Sequence, residues 1–175
     1  SSKFYIERIN IFGNYTTLEE VLRNKLIIDE GDPLNNLLFE KSINNIRSLG
    51  FFKKVRTEIN EGSNENYKVI DINVEEQPTG ELSLAAGYGT DGFATGGHIR
   101  EKNFLGKGIN LDANVELSQQ SLKGEFIYSK PNFAYTDNTL STSIRSIDSD
   151  YLSLYGYESR EYGASIGTSF EQFEK

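Results

Sequence analysis

Cysteine, methionine and tryptophan are absent from the 175 residues, histidine occurs once and proline three times. Without cysteine neither a disulfide framework nor a thiolate metal site can form, and the absence is silent on compartment. Positive charge is not in surplus either: 26 acidic residues against 18 basic give a net charge of −8. A nucleic-acid partner, which requires a clustered basic face, is therefore not expected. No stretch approaches the ~18 apolar residues of a membrane helix, no signal peptide opens the chain, and mean hydropathy is −0.50. The single histidine, His98, has nothing around it that forms a triad or a metal cluster, so no catalytic residue, metal or cofactor is expected. Asp148 and Asp150 lack the glycine and distal glutamate that would complete a calcium loop. Ser1-Ser2 leads straight into a strand-like pattern, which reads as an excerpt from a longer protein.

Glycine is unevenly spread. Gly13, Gly31, Gly50 and Gly62 precede position 80, and the other twelve of sixteen lie from 80 onward. The grammar changes at the same place, from mixed periods of 2 and 3.6 to period 2 almost throughout. A boundary in Gln77-Pro78-Thr79-Gly80 suits this, because proline cannot continue a ladder and glycine bends the chain. The expectation is two domains, 1–79 and 80–175.

In the first, Phe4, Ile6, Ile9 and Ile11 frame a strand that stops at Gly13-Asn14. Thr17 and Glu20 have the form of a capping box, and Leu18, Val21, Leu22 and Leu26 share one helical face. Asn14-Tyr15-Thr16 has glycosylation form but reads more simply as the turn and helix start. Gly31-Asp32-Pro33 breaks the helix. Leu38, Phe39, Ile43, Ile46 and Leu49 mark a second helix, which Gly50 ends by tolerating positive φ. Val55, Thr57 and Ile59 alternate, residues 61–64 turn, and 69–74 return. The order is β-α-α-β-β, a two-layer α+β unit.

The second domain contains Gly87-Tyr88-Gly89-Thr90-Asp91-Gly92, the G-x-G-x-x-G spacing of a dinucleotide loop, with Asp112 about 20 residues on in the place of a ribose ligand. Such a loop needs a helix to receive the pyrophosphate. Gly96-Gly97 falls in what would be its first turns, and Asp91-Gly92 between alternating runs signals a hairpin instead. Strands are expected at 80–90, 93–104, 109–117, 122–129, 139–147 and about 161–171, an antiparallel meander with no helix. Asp112 then belongs to a polar row in a strand whose other face is apolar. Runs of nine to eleven residues match a tilted bilayer crossing. Aromatics crowd near the strand ends (Phe104, Tyr128, Phe133, Tyr135, Tyr151, Tyr155, Tyr157), as in outer-membrane barrels. Six strands are too few to close a barrel with a polar interior, so these would be only its first strands. A water-soluble β domain alternates too and remains the competing reading.

Three segments, FYIERINIFGNYTT, VLRNKLIIDEGDPL and SINNIRSLGFFKKV, resemble the polypeptide-transport-associated (POTRA) repeat over residues 3–76. GELSLAAGYGTDG and REKNFLGKG resemble the opening barrel strands of the BamA family of outer-membrane protein assembly factors. The resemblance implies a non-enzymatic protein of the bacterial outer membrane, with the POTRA domain in the periplasm, that folds and inserts β-barrel proteins. Its implied partners are unfolded outer-membrane proteins, accessory lipoproteins such as BamD, and outer-membrane lipid. It implies that client strands add at the POTRA edge strand, here Lys54, Val55, Arg56, Thr57, Glu58 and Ile59. It implies a weak barrel seam at Leu82, Leu84, Ala86, Gly87, Tyr88 and Gly89, where the two glycines either keep the seam openable or merely relieve crowding or permit curvature. It implies a lipoprotein contact at Asp29 and Glu30. Two-partner secretion transporters and TamA share this plan and are the alternative. The open strand edges of such a piece are expected to self-associate.

Overall fold

A computed structural model describes residues 4–89 and 92–170. Thr90 and Asp91 of the expected hairpin, and the end of the last expected strand at 171, lie outside the described residues. The chain divides into two units: one runs to Thr79 and includes Leu105–Lys107, the other takes in Gly80–Phe104 and Gly108 onward.

The first unit is the expected β-α-α-β-β succession: β1 (Tyr5–Phe12), α1 (Glu19–Arg23), α2 (Asn36–Ser48), β2 (Phe52–Glu61) and β3 (Tyr67–Glu76). Its sheet has the order β1-β3-β2, with β1 parallel and β2 antiparallel to the central strand. Ile6 and Ile9 are both buried although three residues apart. A bulge between Ile6 and Arg8 resets the alternation and points both at the helices. They meet Leu22, Ile28, Phe39, Ile43, Ile46, Ile70 and Ile72 in one core. Helix α2 is held by Asn35, whose side chain accepts from the amides of Leu37 and Leu38. On its inner side Ser42 donates to the Leu38 carbonyl and accepts from the Ile27 amide at 2.9 Å.

Two expectations for α1 need correcting. The helix has five residues, and its N-cap is Leu18 with no side-chain cap, so the Thr17–Glu20 capping box does not form. A carboxylate from β3 meets this segment instead: Glu76 accepts the amides of Thr16 (2.9 Å) and Thr17 (2.7 Å).

The second unit is a six-stranded antiparallel meander: β4 (Gly80–Gly89), β5 (Gly92–Phe104), β6 (Ile109–Ser118), β7 (Ser121–Lys130), β8 (Asn138–Asp150) and β9 (Glu158–Phe170). A strand, not a helix, follows Gly92, so no dinucleotide loop exists. The expectation of no helix fails only in the connections, where Phe133–Tyr135 forms a 3-10 turn and Leu152–Tyr155 a single helical turn, α3. Strands β8 and β9 are also longer than expected, because their far ends are polar on both faces. Asp148, which stands in the row of the apolar face, pairs with Arg160 at 3.1 Å, and Asp150 accepts the Leu152 amide.

Register places Leu84, Gly97, Val115, Gly124 and Ser146 in one row across the sheet. The flanking rows on that face carry Leu82, Ile99, Leu117, Leu122, Phe126 and Ile144, all at least half exposed except Phe126 at 42%. The opposite face carries His98, Arg100, Asp112, Asn114, Glu116 and Lys123.

Candidate functional site

Backbone edges are the chemistry a sheet offers to an incoming chain, since an edge strand presents unpaired amides and carbonyls. In the first unit β1 and β2 are both outermost. They are not equally available.

The free side of β1 is occupied by its own chain. The Ile6 amide donates to the Asp32 carbonyl (2.9 Å), and the Ile6 and Phe4 carbonyls accept from Gly31 (2.7 Å) and Leu34 (2.8 Å). Further along, the Ile9 amide donates to Glu30 Oε1 at 3.0 Å, and the Ile9 carbonyl accepts from Arg23 Nη2 at 2.8 Å. Glu19 steadies Arg23 at 2.7 Å. Segment 30–34 thus acts as a false strand, and two charged side chains continue it. Only the Glu19–Arg23 spacing of a helical ion pair foreshadows this in the sequence.

That arrangement gives Glu30 a partner within the chain. Asp29 is similarly turned to its own loop, its carboxylate accepting the Glu30 amide at 2.8 Å. The structure therefore assigns both residues local structural work, whatever else they touch.

Strand β2 has β3 on one side and, among the described residues, no strand on the other. Lys54, Arg56 and Glu58 are exposed, alternating with the half-buried Val55 and Thr57, and Ile59 is 45% exposed. A bulge between Phe52 and Lys54 marks where the strand leaves the core.

In the second unit the free edges are β4 and β9. All ten residues of β4 are exposed, and its pairing is with β5 alone, in unbroken register from Gly80↔Glu101 to Gly89↔Gly92. Leu82, Leu84, Ala86 and Tyr88 share the apolar face, while Gly87 and Gly89 lie on the polar one. A Cβ at Gly87 or Gly89 would meet nothing within 4 Å, and neither has positive φ. Among the described residues nothing crowds these two positions. Gly96 differs, for its Cβ would sit 2.9 Å from the Val115 carbonyl oxygen. Beside the edge the small residues Ala85, Gly87, Ala94 and Gly96 leave an open trough of about 440 Å³ bordered by His98 and Glu116.

His98 lies next to this trough, with Nε2 2.9 Å from Asp112 Oδ1, while Arg100 Nε donates to Oδ2 at 3.0 Å. Ser83 stands opposite His98 in register, but no hydrogen bond joins its hydroxyl to the ring among the described residues. The constellation is a cross-strand ion cluster that ties β5 to β6.

Residues 4–77 match the family model POTRA, described as surface antigen variable number repeat. The chain is 34% identical over 127 residues to the outer membrane protein assembly factor BamA of Neorickettsia risticii, a match covering 72% of this chain and 17% of that protein. It is 28% identical over 133 residues to the BamA of Neisseria meningitidis, covering 75% and 17%. The crystal structure of BamA from Haemophilus ducreyi lacking POTRA domains 1-3 superposes with a TM-score of 0.81 at 26% identity, over 93% of this chain and 32% of that one. CdiB from Acinetobacter baumannii shares the fold, with a TM-score of 0.59 at 16% identity over 94% of this chain and 33% of that one. The chain thus spans about a sixth of the length of the curated relatives it matches.

Proposed function

We propose, for a chain that is homologous to the BamA outer-membrane protein assembly factors and carries a POTRA repeat over residues 4–77, that it is the segment of such a factor where client strands dock. Unfolded outer-membrane proteins would add first along β2 in the periplasm and then along β4 in the outer membrane. Strand addition needs only backbone hydrogen bonds, so clients of many sequences can use the same edge. No reaction is catalysed in this scheme; the bilayer and the client's own pairing supply the driving force. Accessory lipoproteins such as BamD would approach the half-exposed carboxylate of Glu30.

The observation that carries this reading is β4. It is an exposed edge whose Gly87 and Gly89 meet no neighbouring atom among the described residues and have no positive φ. This supports the reading that they weaken the strand over the alternative that they relieve crowding or permit curvature. Replacing both by valine in the parent protein should slow client insertion by stiffening the seam. Insertion at an unchanged rate would remove the idea. A secretion transporter of the same superfamily is the second reading, and the CdiB likeness does not decide between the two. At 16% identity that likeness speaks for the fold alone.

A further inference from the structure

Two of the charged side chains on β2 have no partner. Lys53 and Lys54 share Glu75, at 3.6 and 3.9 Å, and Glu61 holds Lys68 at 2.6 Å. Arg56 and Glu58, two residues apart on the exposed side of the strand, make no ion pair or side-chain hydrogen bond among the described residues. Nor does either find an opposite charge directly across on β3. Arg56 faces the neutral Asn73, and Glu58 faces Asp71. Asp71 is a like charge whose two oxygens are already taken by Asn10 and Asn60, both at 2.8 Å. Arg47 Nη2 reaches the Val55 carbonyl at a long 3.5 Å, but no described strand pairs the outer side of β2, which therefore offers an unmatched cation followed, two residues later, by an unmatched anion.

A strand added on that side would place side chains directly opposite both, within the 4.5–5.5 Å at which cross-strand charges attract or repel. We propose that the Arg56–Glu58 pair reads the direction of the added strand, selecting an extended segment with opposite charges two residues apart. This rests on β2 being the docking edge. A segment reading acidic-x-basic meets both charges only when it runs parallel to β2, and one reading basic-x-acidic only when it runs antiparallel. Backbone pairing would be tolerant of sequence, while these two charges set polarity.

The test uses the full chain in detergent and four peptides of one β-forming sequence, differing at two positions two apart: Asp-x-Lys, Lys-x-Asp, Asp-x-Asp and Lys-x-Lys. A nitroxide on each amino terminus reports direction through broadening of β2 amides. Asp-x-Lys should broaden the Lys53–Lys54 end and Lys-x-Asp the Asn60–Glu61 end. Each like-charged peptide should bind about two- to five-fold more weakly, the range for one mismatched cross-strand pair. Exchanging the two residues, R56E with E58R, should reverse which end each peptide broadens. Broadening at the same end by both mixed peptides, or an exchanged variant that behaves as the parent, overturns the proposal while leaving β2 as a docking edge. If no peptide perturbs β2, the docking edge falls as well.

Discussion

Glu30 and Glu76 do similar work at different places: each lends a carboxylate to backbone amides that the secondary structure leaves over. For Glu30 the amide is that of Ile9, and charge is not essential to that bond. Glu30→Gln should therefore keep the stability of the first unit nearly unchanged in denaturant unfolding. Glu30→Ala should cost roughly 0.5–1.5 kcal/mol, the range for an ordinary hydrogen bond, because the carboxylate is half-exposed. If Glu30→Gln nevertheless loses co-purification with an accessory lipoprotein, a cationic partner needs the charge; if it does not, the residue serves the β1 edge alone. At Glu76, burial pushes the carboxyl pKa up, but hydrogen bonds from Thr17 and Thr16 outweigh it and hold the value below the ordinary one. A lowered folded pKa contributes stability that is present above the unfolded value, about 4.3, and is lost as pH falls below it through the folded value. Glu76→Gln should flatten the acid limb of the stability profile between pH 5 and 3, roughly, and leave the neutral-pH fold intact. An identical acid limb in the variant would show that the carboxylate is not the sensor.

Among the elements, those whose apolar period is long and regular are legible in the sequence. Helix α2 carries Phe39, Ile43 and Ile46 at helical spacing and an Asn N-cap, and β6 alternates without a break. Shorter or interrupted patterns misled. The face formed by Leu18, Val21, Leu22 and Leu26 suggested a longer helix than α1, which stops at Arg23 because the chain turns to lay 30–34 along β1. The three-residue step from Ile6 to Ile9 is the trace of a bulge, visible in the sequence only as an irregularity. The seal on β1 could not be read at all, since it is built from backbone groups far apart in sequence. Strand β4 is legible as a strand, whereas the open space around Gly87 and Gly89 follows only from the register of its neighbours. In the Gly87→Val, Gly89→Val variant, β-propensity of up to roughly 1 kcal/mol per site should appear as slower amide exchange along β4. Faster insertion together with slower exchange would contradict a seam that must open.

At the scale of the whole molecule, the two faces of the second sheet make opposite demands on their surroundings. No helix among the described residues is long and apolar enough to cross a membrane, which leaves crossing by strands open. Leu82, Leu84, Tyr88, Ile99, Val115, Leu117 and Ile166 are each half exposed or more on one face, more contiguous apolar surface than a water-facing sheet normally leaves uncovered. Val115 sits at the middle of that face, between Gly97 and Gly124 on its neighbours, and Asn114 is the adjacent residue on the polar face. Lysine at a lipid-facing midplane site costs about 2–4 kcal/mol, while a lumen-facing substitution is tolerated. In the parent protein refolded into lipid vesicles, V115K should therefore lower the folded fraction seen by cold electrophoretic mobility, and N114K should not. Equal tolerance of the two would mean that no bilayer contacts this face. The proposed β4 seam would then open into water, and an incoming strand would have no membrane to enter.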